Sequence, residues 1–344
     1  MINWRLLSRQ VVLYLAVGGL ALYAVWPWLP GANRAQPRTI VVYGFSILGE
    51  VMNDGVFPAF QEHWKARTGE DVEFISSFGG SGTVTNQIIL GVPAEVAILS
   101  LELDALRLVE SGRVDGSTWR ELPHGGILNR TPFIILVRPG NPRQITDFAD
   151  LTQPGVGIIH PDPLTSGGAQ WAILAEYGSE LRETGDPARA YEQLLGIWQN
   201  VTSQASSARA ARTQFQSGFG DVLITYEQEV TYDMLRGQLE GEIVYPKSTI
   251  LSEHVVVVID DNIPRADREL IDAFVDFLWS EEAQRIFVEY GFRSVDETLN
   301  VDVPYFGVID DPFTVADMGG WPEAKREIID AIWKDRVLQE VGNE

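Results

Sequence analysis

Two short clusters of serine and glycine carry the most legible chemistry in this sequence: "GGSGT" at 79–83 and "TSGGA" at 165–169. Each runs straight into an apolar pattern of helical spacing, so each would set bare backbone N–H groups and a hydroxyl at a helix start. The first helical amides have no intrahelical acceptor and lie at the positive end of the helix dipole, which suits them to an anion. A third candidate is "SSARAARTQF", where Ala208 opens an alanine-rich helix bearing Arg209 and Arg212. Taken singly, each loop is equally well a capped turn, and arginines on a helix are commonly solvated surface.

Better-known uses of such loops fail on their spacing. A nucleotide P-loop needs G-x-x-x-x-G-K-[ST], and no lysine lies between Ser76 and Gly91. A dinucleotide fingerprint would need a glycine where Thr85 stands, and a nucleophile elbow would need one where Thr83 stands. A serine hydrolase built on Ser81 or Ser166 with His160 or His124 as base therefore lacks its usual frame, and a cradle without an activated nucleophile binds rather than cleaves. A fully ionised dianion such as sulfate only accepts hydrogen bonds, so its site needs donors and no carboxylate. None of the three loops carries Asp or Glu at its apex.

The bulk composition narrows the partners. The 344 residues leave room for two compact domains and a tail. A formal charge of −22 excludes nucleic acid as a partner and removes long-range steering of anions, so an anion site must act locally. There are no cysteines, hence no disulfides, thiolate metal sites or cysteine nucleophiles, and the four histidines have no ligand-like spacing. No cofactor or metal is expected.

The elements that must hold these loops alternate between strand and helix. "TIVVYG", "VEFI" and "EVAILS" read as strands. Phe57, Phe60 and Trp64 mark a helix ending at Gly69, and Leu103, Leu106 and Val109 mark another. "FIILVRPGNP", "VGIIH", "GDVLITY" and "HVVVVID" are further strands, and helices follow over about 265–278 and 281–290. The alternation predicts an α/β architecture with largely parallel sheets.

The N-terminus is separate. Arg5 and Arg9 precede an uncharged, mostly apolar run from Val11 to Leu29, either a signal peptide or a minimal membrane span. No A-x-A pattern stands at a cleavage position, and Trp26 and Trp28 sit where an aromatic belt would rest, which favours an uncleaved anchor. Residues 1–36 are read as this signal or anchor helix plus linker, and the remainder as exported, periplasmic or extracytoplasmic.

Taken together, "FQEHWKARTGEDVEFISSFGGSGT", "LVRPGNP", "PDPLTSGGAQW", "ARAARTQF", "GDVLITYEQE" and "GGW", in this order, resemble the sulfate-binding protein family, the periplasmic receptors of sulfate and thiosulfate ABC importers. The resemblance implies a two-lobed type II periplasmic binding fold closing on a dehydrated dianion, with ABC permease subunits as membrane partner. Lobe one would comprise 37–131 and 253–344, lobe two 132–252, with the hinge near 133–137 and 247–255. The implied ligand residues are Ser81, Ser166, Gly167 and Gly168, and the amide of Ala208. Two positions depart: Tyr226 stands where that family has tryptophan, and "YGFS" replaces its Y-D-P-T. Ser46, Ser81 and Tyr226 instead resemble the related molybdate- and tungstate-binding receptors. Sulfate is favoured by the TSGG loop, molybdate by Ser46 and Tyr226, and a membrane-tethered sensor or assembly subunit without ligand is the reading from another class. Glu227, next to Tyr226, would point to the opposite face of a strand and so away from the anion.

Overall fold

The computed structural model describes residues 37–116 and 118–342, together with Gly18. Gly18 apart, the apolar run 11–29, and with it the expected anchor, lies outside the described residues. Among the described residues no helix is long and apolar enough to cross a membrane.

The β-branched run "TIVV" forms the middle of strand β1 (Arg38–Phe45), which leads through a short irregular helical stretch into helix α1 (Phe57–Thr68). Phe57, Phe60 and Trp64 are its buried stripe, and Gly69 ends it in the left-handed conformation (φ 77°) that glycine adopts without a Cβ penalty. Strand β2 (Val72–Gly79), helix α2 (Ser81–Ile89), β3 (Val96–Leu99) and α3 (Glu102–Glu110) complete this half. The long β4 (Ile127–Val137) then carries the chain across to the second half.

There follow β5 (Ile158–Pro161), α4 (Gly167–Thr184), α5 (Pro187–Gln199), β6 (Val201–Ala205), α6 (Ala208–Gln216), β7 (Val222–Tyr226), α7 (Glu227–Leu235) and β8 (Glu242–Val244). The Asp-Pro start of α5 behaves as expected: Asp186 accepts from the Ala188 amide at 2.9 Å, with Pro187 in the first turn. Strand β9 (Ser248–Val258) returns, and α8 (Arg268–Leu278), α9 (Glu281–Glu289) and β10 (Arg293–Ser294) pack on the first half.

Strands run β2-β1-β3-β9-β4-β7-β5-β6 across the molecule. The outer trios are parallel, β1 with β2 and β3, and β5 with β6 and β7. The central pair is antiparallel, β9 to β3 and to β4, and β4 to β7. The sheets are thus mixed rather than largely parallel, because two strands each cross between the halves in opposite directions. Strand β4 changes partner within one step: Pro132 pairs with Leu251 of β9, and Phe133 with Tyr226 of β7. Two α/β lobes joined by these two strands make the architecture.

On the crossing strand β9 lies His254, wholly buried against the Phe45 ring at 4.3 Å, its Nδ1 2.6 Å from Asn129 Oδ1 of β4. Burial alone holds its pKa down to about 3, so the imidazole is neutral.

The C-terminal segment departs from the expected division. From β11 (Asp311–Phe313) onward the chain packs largely on the second lobe, touching the first near Arg107: β11 pairs with residues 248–250 of β9, and Lys325 borders a cavity with Asp104 and Arg107. Trp321 packs edge-on against Trp171 of α4 (4.4 Å), and Trp333 against Trp198 of α5 (5.0 Å). Two large rings need an apolar bed, and the second half's helices supply it.

Candidate functional site

Gly79 ends β2 and Gly80 turns the chain, leaving Ser81 and Gly82 as the first residues of α2. The φ of Gly80, −56°, suits any residue. Space is what requires glycine: a Cβ there would stand 2.4 Å from the Thr165 carbonyl oxygen and 2.7 Å from that of Ser206. One glycine thus abuts the leaders of both helices on the other lobe.

The first of those leaders is shaped by Asp162. Its carbonyl accepts from the Thr165 and Ser166 amides (3.1 and 2.8 Å), and its carboxylate from the Leu164 amide (2.9 Å). Ser166 is therefore the N-cap of α4, buried and with no side-chain capping bond, and Gly167 and Gly168 follow as the first two helical residues. A Cβ on Gly167 would stand 2.8 Å from Ser100 Cβ, and one on Gly168 2.9 Å from the Tyr226 hydroxyl. Thr165 Oγ1 donates to the Ser206 carbonyl at 3.0 Å, tying this leader to the next. There, Ser207 caps α6 by accepting from the Ala210 amide (3.1 Å), which leaves Ala208 first in the helix and buried.

Tyr226 ends β7 almost wholly buried, its hydroxyl 2.8 Å from Ser100 Oγ. Burial pushes the phenol well above its ordinary pKa, so it keeps its proton and can donate. Ser46 follows β1 from the first lobe, its Oγ 3.5 Å from the Arg209 amide. Ser46, Glu50, Asn53, Asp54, Ser207 and Arg209 border a cavity of about 400 Å³ at the mouth of the seam.

All seven residues expected from the sequence thus meet at one seam between the lobes. Ser46 and Ser81 come from the first, and Ser166, Gly167, Gly168, Ala208 and Tyr226 from the second. Three helix N-termini converge there, each presenting amides that the helix itself cannot satisfy.

The hydroxyl of Ser81 does not stand free as the sequence suggests. It donates to Asp104 Oδ2 at 2.6 Å and accepts from the Ser100 amide at 3.0 Å. Asp104 is buried behind it and pairs with Arg107 at 3.1 Å; burial nonetheless pushes this carboxyl above its usual range. The buried stripe of α3 accordingly includes Asp104, Ala105 and Leu108, one position off the expected Leu103, Leu106 and Val109, which are only partly covered.

Glu227 turns away from the seam. It begins α7, and its carboxylate accepts two bonds from Arg293 (2.8 Å each) and one from the Gly307 amide (3.0 Å). His160 is likewise engaged elsewhere: its ring nitrogens lie 2.6 Å from the Pro161 carbonyl and 3.1 Å from Glu176. Neither Ser81 nor Ser166 has a histidine among its hydrogen-bond partners in the described residues. Among those residues, too, no group of three acidic or histidine side chains could hold a metal ion.

Sequence reasoning missed Ser100, Asp104 and Trp171. Ser100 connects Ser81 to Tyr226 and, through its carbonyl, accepts the Trp171 indole N–H at 2.8 Å. A signal for Ser100 did exist: it is the polar residue closing a buried strand at its carboxyl end, where α/β sheets bind ligands.

The family model for bacterial extracellular solute-binding proteins matches residues 41–293. A sulfate-binding protein of Synechococcus elongatus is 33% identical over 316 residues, covering 90% of this chain and 89% of the relative. One of Escherichia coli is 35% identical, covering 78% and 83%. A molybdate-binding protein of Mycobacterium bovis matches at 25% identity over 65% of this chain and 75% of its own. Among solved structures, the sulfate-binding protein SubI of Mycobacterium tuberculosis superposes with a TM-score of 0.78 at 30% identity, covering 85% of this chain and 100% of that one. The chain belongs to the bacterial extracellular solute-binding protein family, alongside the sulfate-binding proteins to which it is similar.

Proposed function

We propose that this protein is the extracytoplasmic substrate-binding component of an ABC importer for a tetrahedral dianion, sulfate or thiosulfate, and acts by binding rather than catalysis. The observation that carries the reading is the convergence of the first amides of α2, α4 and α6 on one interlobe seam. In this reading Gly167, Gly168 and Ala208 donate backbone N–H bonds from the second lobe, and Ser166 and Tyr226 donate hydroxyls. Ser81 and Ser46 contribute from the first lobe, Ser81 through its backbone amide because its hydroxyl serves Asp104. Donor bonds to a charged acceptor contribute roughly 1.5–3 kcal/mol each, so four or five reach about −8 kcal/mol, micromolar affinity, after desolvation. The anion favours closure because only the closed seam brings both sets of donors together. The loaded, closed form would then dock on ABC permease subunits.

Molybdate or tungstate is the second reading, favoured by Ser46 near the Arg209 amide and by Tyr226 in place of an indole. The close approach of Gly168 to the Tyr226 hydroxyl favours the smaller anion. Monohydrogen phosphate needs an acceptor for its proton, and the Glu227 carboxylate is already held by Arg293.

Thermal unfolding of the full chain with sulfate, thiosulfate, molybdate, tungstate and phosphate tests this. An anion at 100 times its dissociation constant adds about 2.7 kcal/mol of stability, so sulfate or thiosulfate is expected to raise the melting temperature and phosphate to leave it unchanged. A shift with molybdate and tungstate only would transfer the assignment to them. No shift with any of the five would point to the tethered sensor or assembly subunit.

A further inference from the structure

Arg209 is the second residue of α6, one position beyond Ala208, and its guanidinium reaches out of its own lobe. Nε donates to Glu229 Oε1 of α7 at 2.9 Å, within the second lobe. The other two nitrogens form a fork on Glu50, which follows Ser46 in the first lobe: Nη2 donates to Oε2 at 2.6 Å and Nη1 to Oε1. Glu229 is fully buried and has a second partner in its own lobe, Arg212 at 3.3 Å. Separating the lobes would therefore leave Arg209 with Glu229 and remove only Glu50. A two-pronged guanidinium–carboxylate contact is sensitive to geometry, so a small opening abolishes it whole.

We propose that Glu50 and Arg209 form an interlobe clasp that sets the open–closed balance of the cleft and thereby the rate at which a bound oxyanion leaves. Burial alone would raise the Glu50 carboxyl, yet the Arg209 guanidinium holds it below the ordinary carboxylate range, so the clasp is charged at neutral pH. The pair borders the mouth cavity and its side chains keep about a quarter of their exposure, so dissolved salt reaches it. Hydrogen bonds from neutral amides respond little to salt, whereas a partly exposed ion pair is screened by it. The clasp thus gives a protein with an uncharged anion cradle a salt-dependent door. The effect on anion release rests on the proposed function; the effect on lobe closure does not.

The chain has no cysteine, so Leu90→Cys in the first lobe and Phe219→Cys in the second, both exposed, accept a fluorophore pair and nothing else does. Interlobe distances are measured on the full chain without anion at low and high KCl, with Glu50 intact and as Glu50→Gln. Glu50→Gln is expected to lengthen the mean distance at low salt, and high salt to lengthen it with Glu50 intact but not in Glu50→Gln. Arg209→Lys, which keeps the charge and loses the fork, is expected to fall between. Sulfate release by stopped flow should quicken roughly 3–10-fold in Glu50→Gln, with association little changed. Equal distances and an equal salt response with and without Glu50 would overturn the clasp. Absence of sulfate binding in both proteins would overturn the proposed function and leave the distance result standing.

Discussion

Replacing Gly80 by alanine is expected to weaken oxyanion binding by roughly 100-fold, about 2.8 kcal/mol, while the unliganded melting temperature stays within about 2 °C. The added methyl would meet two backbone oxygens of the opposite lobe, Thr165 at 2.4 Å and Ser206 at 2.7 Å, and no side-chain rotation can move them. Within its own lobe Gly80 has a φ that alanine accepts, so the open form loses nothing. The lobes must part to admit the methyl, and the donors on one side then leave the anion. Isothermal titration with sulfate paired with unfolding curves separates the two effects. Unchanged affinity would mean that the seam at Gly80 is not the surface that closes on the ligand.

The second large effect concerns stability. Arg293 on β10 holds Glu227 at the start of α7 through two bonds of 2.8 Å, and its Nη2 also donates to the Gly307 carbonyl. Glu227 is fully buried, and its charge loses its cation if Arg293 becomes methionine. Breaking a buried pair from one side costs about 3–5 kcal/mol, since the remaining charge is stranded in a medium that solvates it poorly. Arg293→Met is therefore expected to lower the melting temperature by roughly 5–10 °C. Arg293→Met with Glu227→Gln should recover a good part of that loss, because the stranded charge is then gone. A single variant within about 1 kcal/mol of the parent in urea unfolding would show that the pair is dispensable.

The two serine–glycine loops were legible as helix starts because glycine, serine and helix periodicity are local signals. "GGSG" and "TSGG" each precede a helix and each land on the seam. What lay across the seam was not legible. The commitment of the Ser81 hydroxyl to Asp104 depends on α3 packing one position out of its apolar phase, and a carboxylate on a buried face contradicts the hydrophobic pattern used to find that face. The mixed sheet was hidden because only the apolar ends of β4 and β9, "FIILV" and "VVVV", read as strand, and an apolar run carries no sign of its direction or partner. The docking of Trp321 and Trp333 on the second lobe is a long-range choice between two apolar surfaces, which no window of sequence contains. Glu227 does turn away from Tyr226, but not by strand alternation: β7 ends at Tyr226, Glu227 opens α7, and Arg293 holds its carboxylate.

One measurement reaches the centre of this account: a crystal structure of the full chain grown with selenate, whose anomalous scattering locates a tetrahedral dianion without ambiguity. The account predicts a single peak in the interlobe seam, about 2.7–3.2 Å from the amides of Gly167, Gly168 and Ala208 and from a first-lobe donor at Ser81 or Ser46, with no guanidinium or ammonium in contact. A peak seated on Arg107, Arg209 or another cation, or one touching only a single lobe, would contradict it.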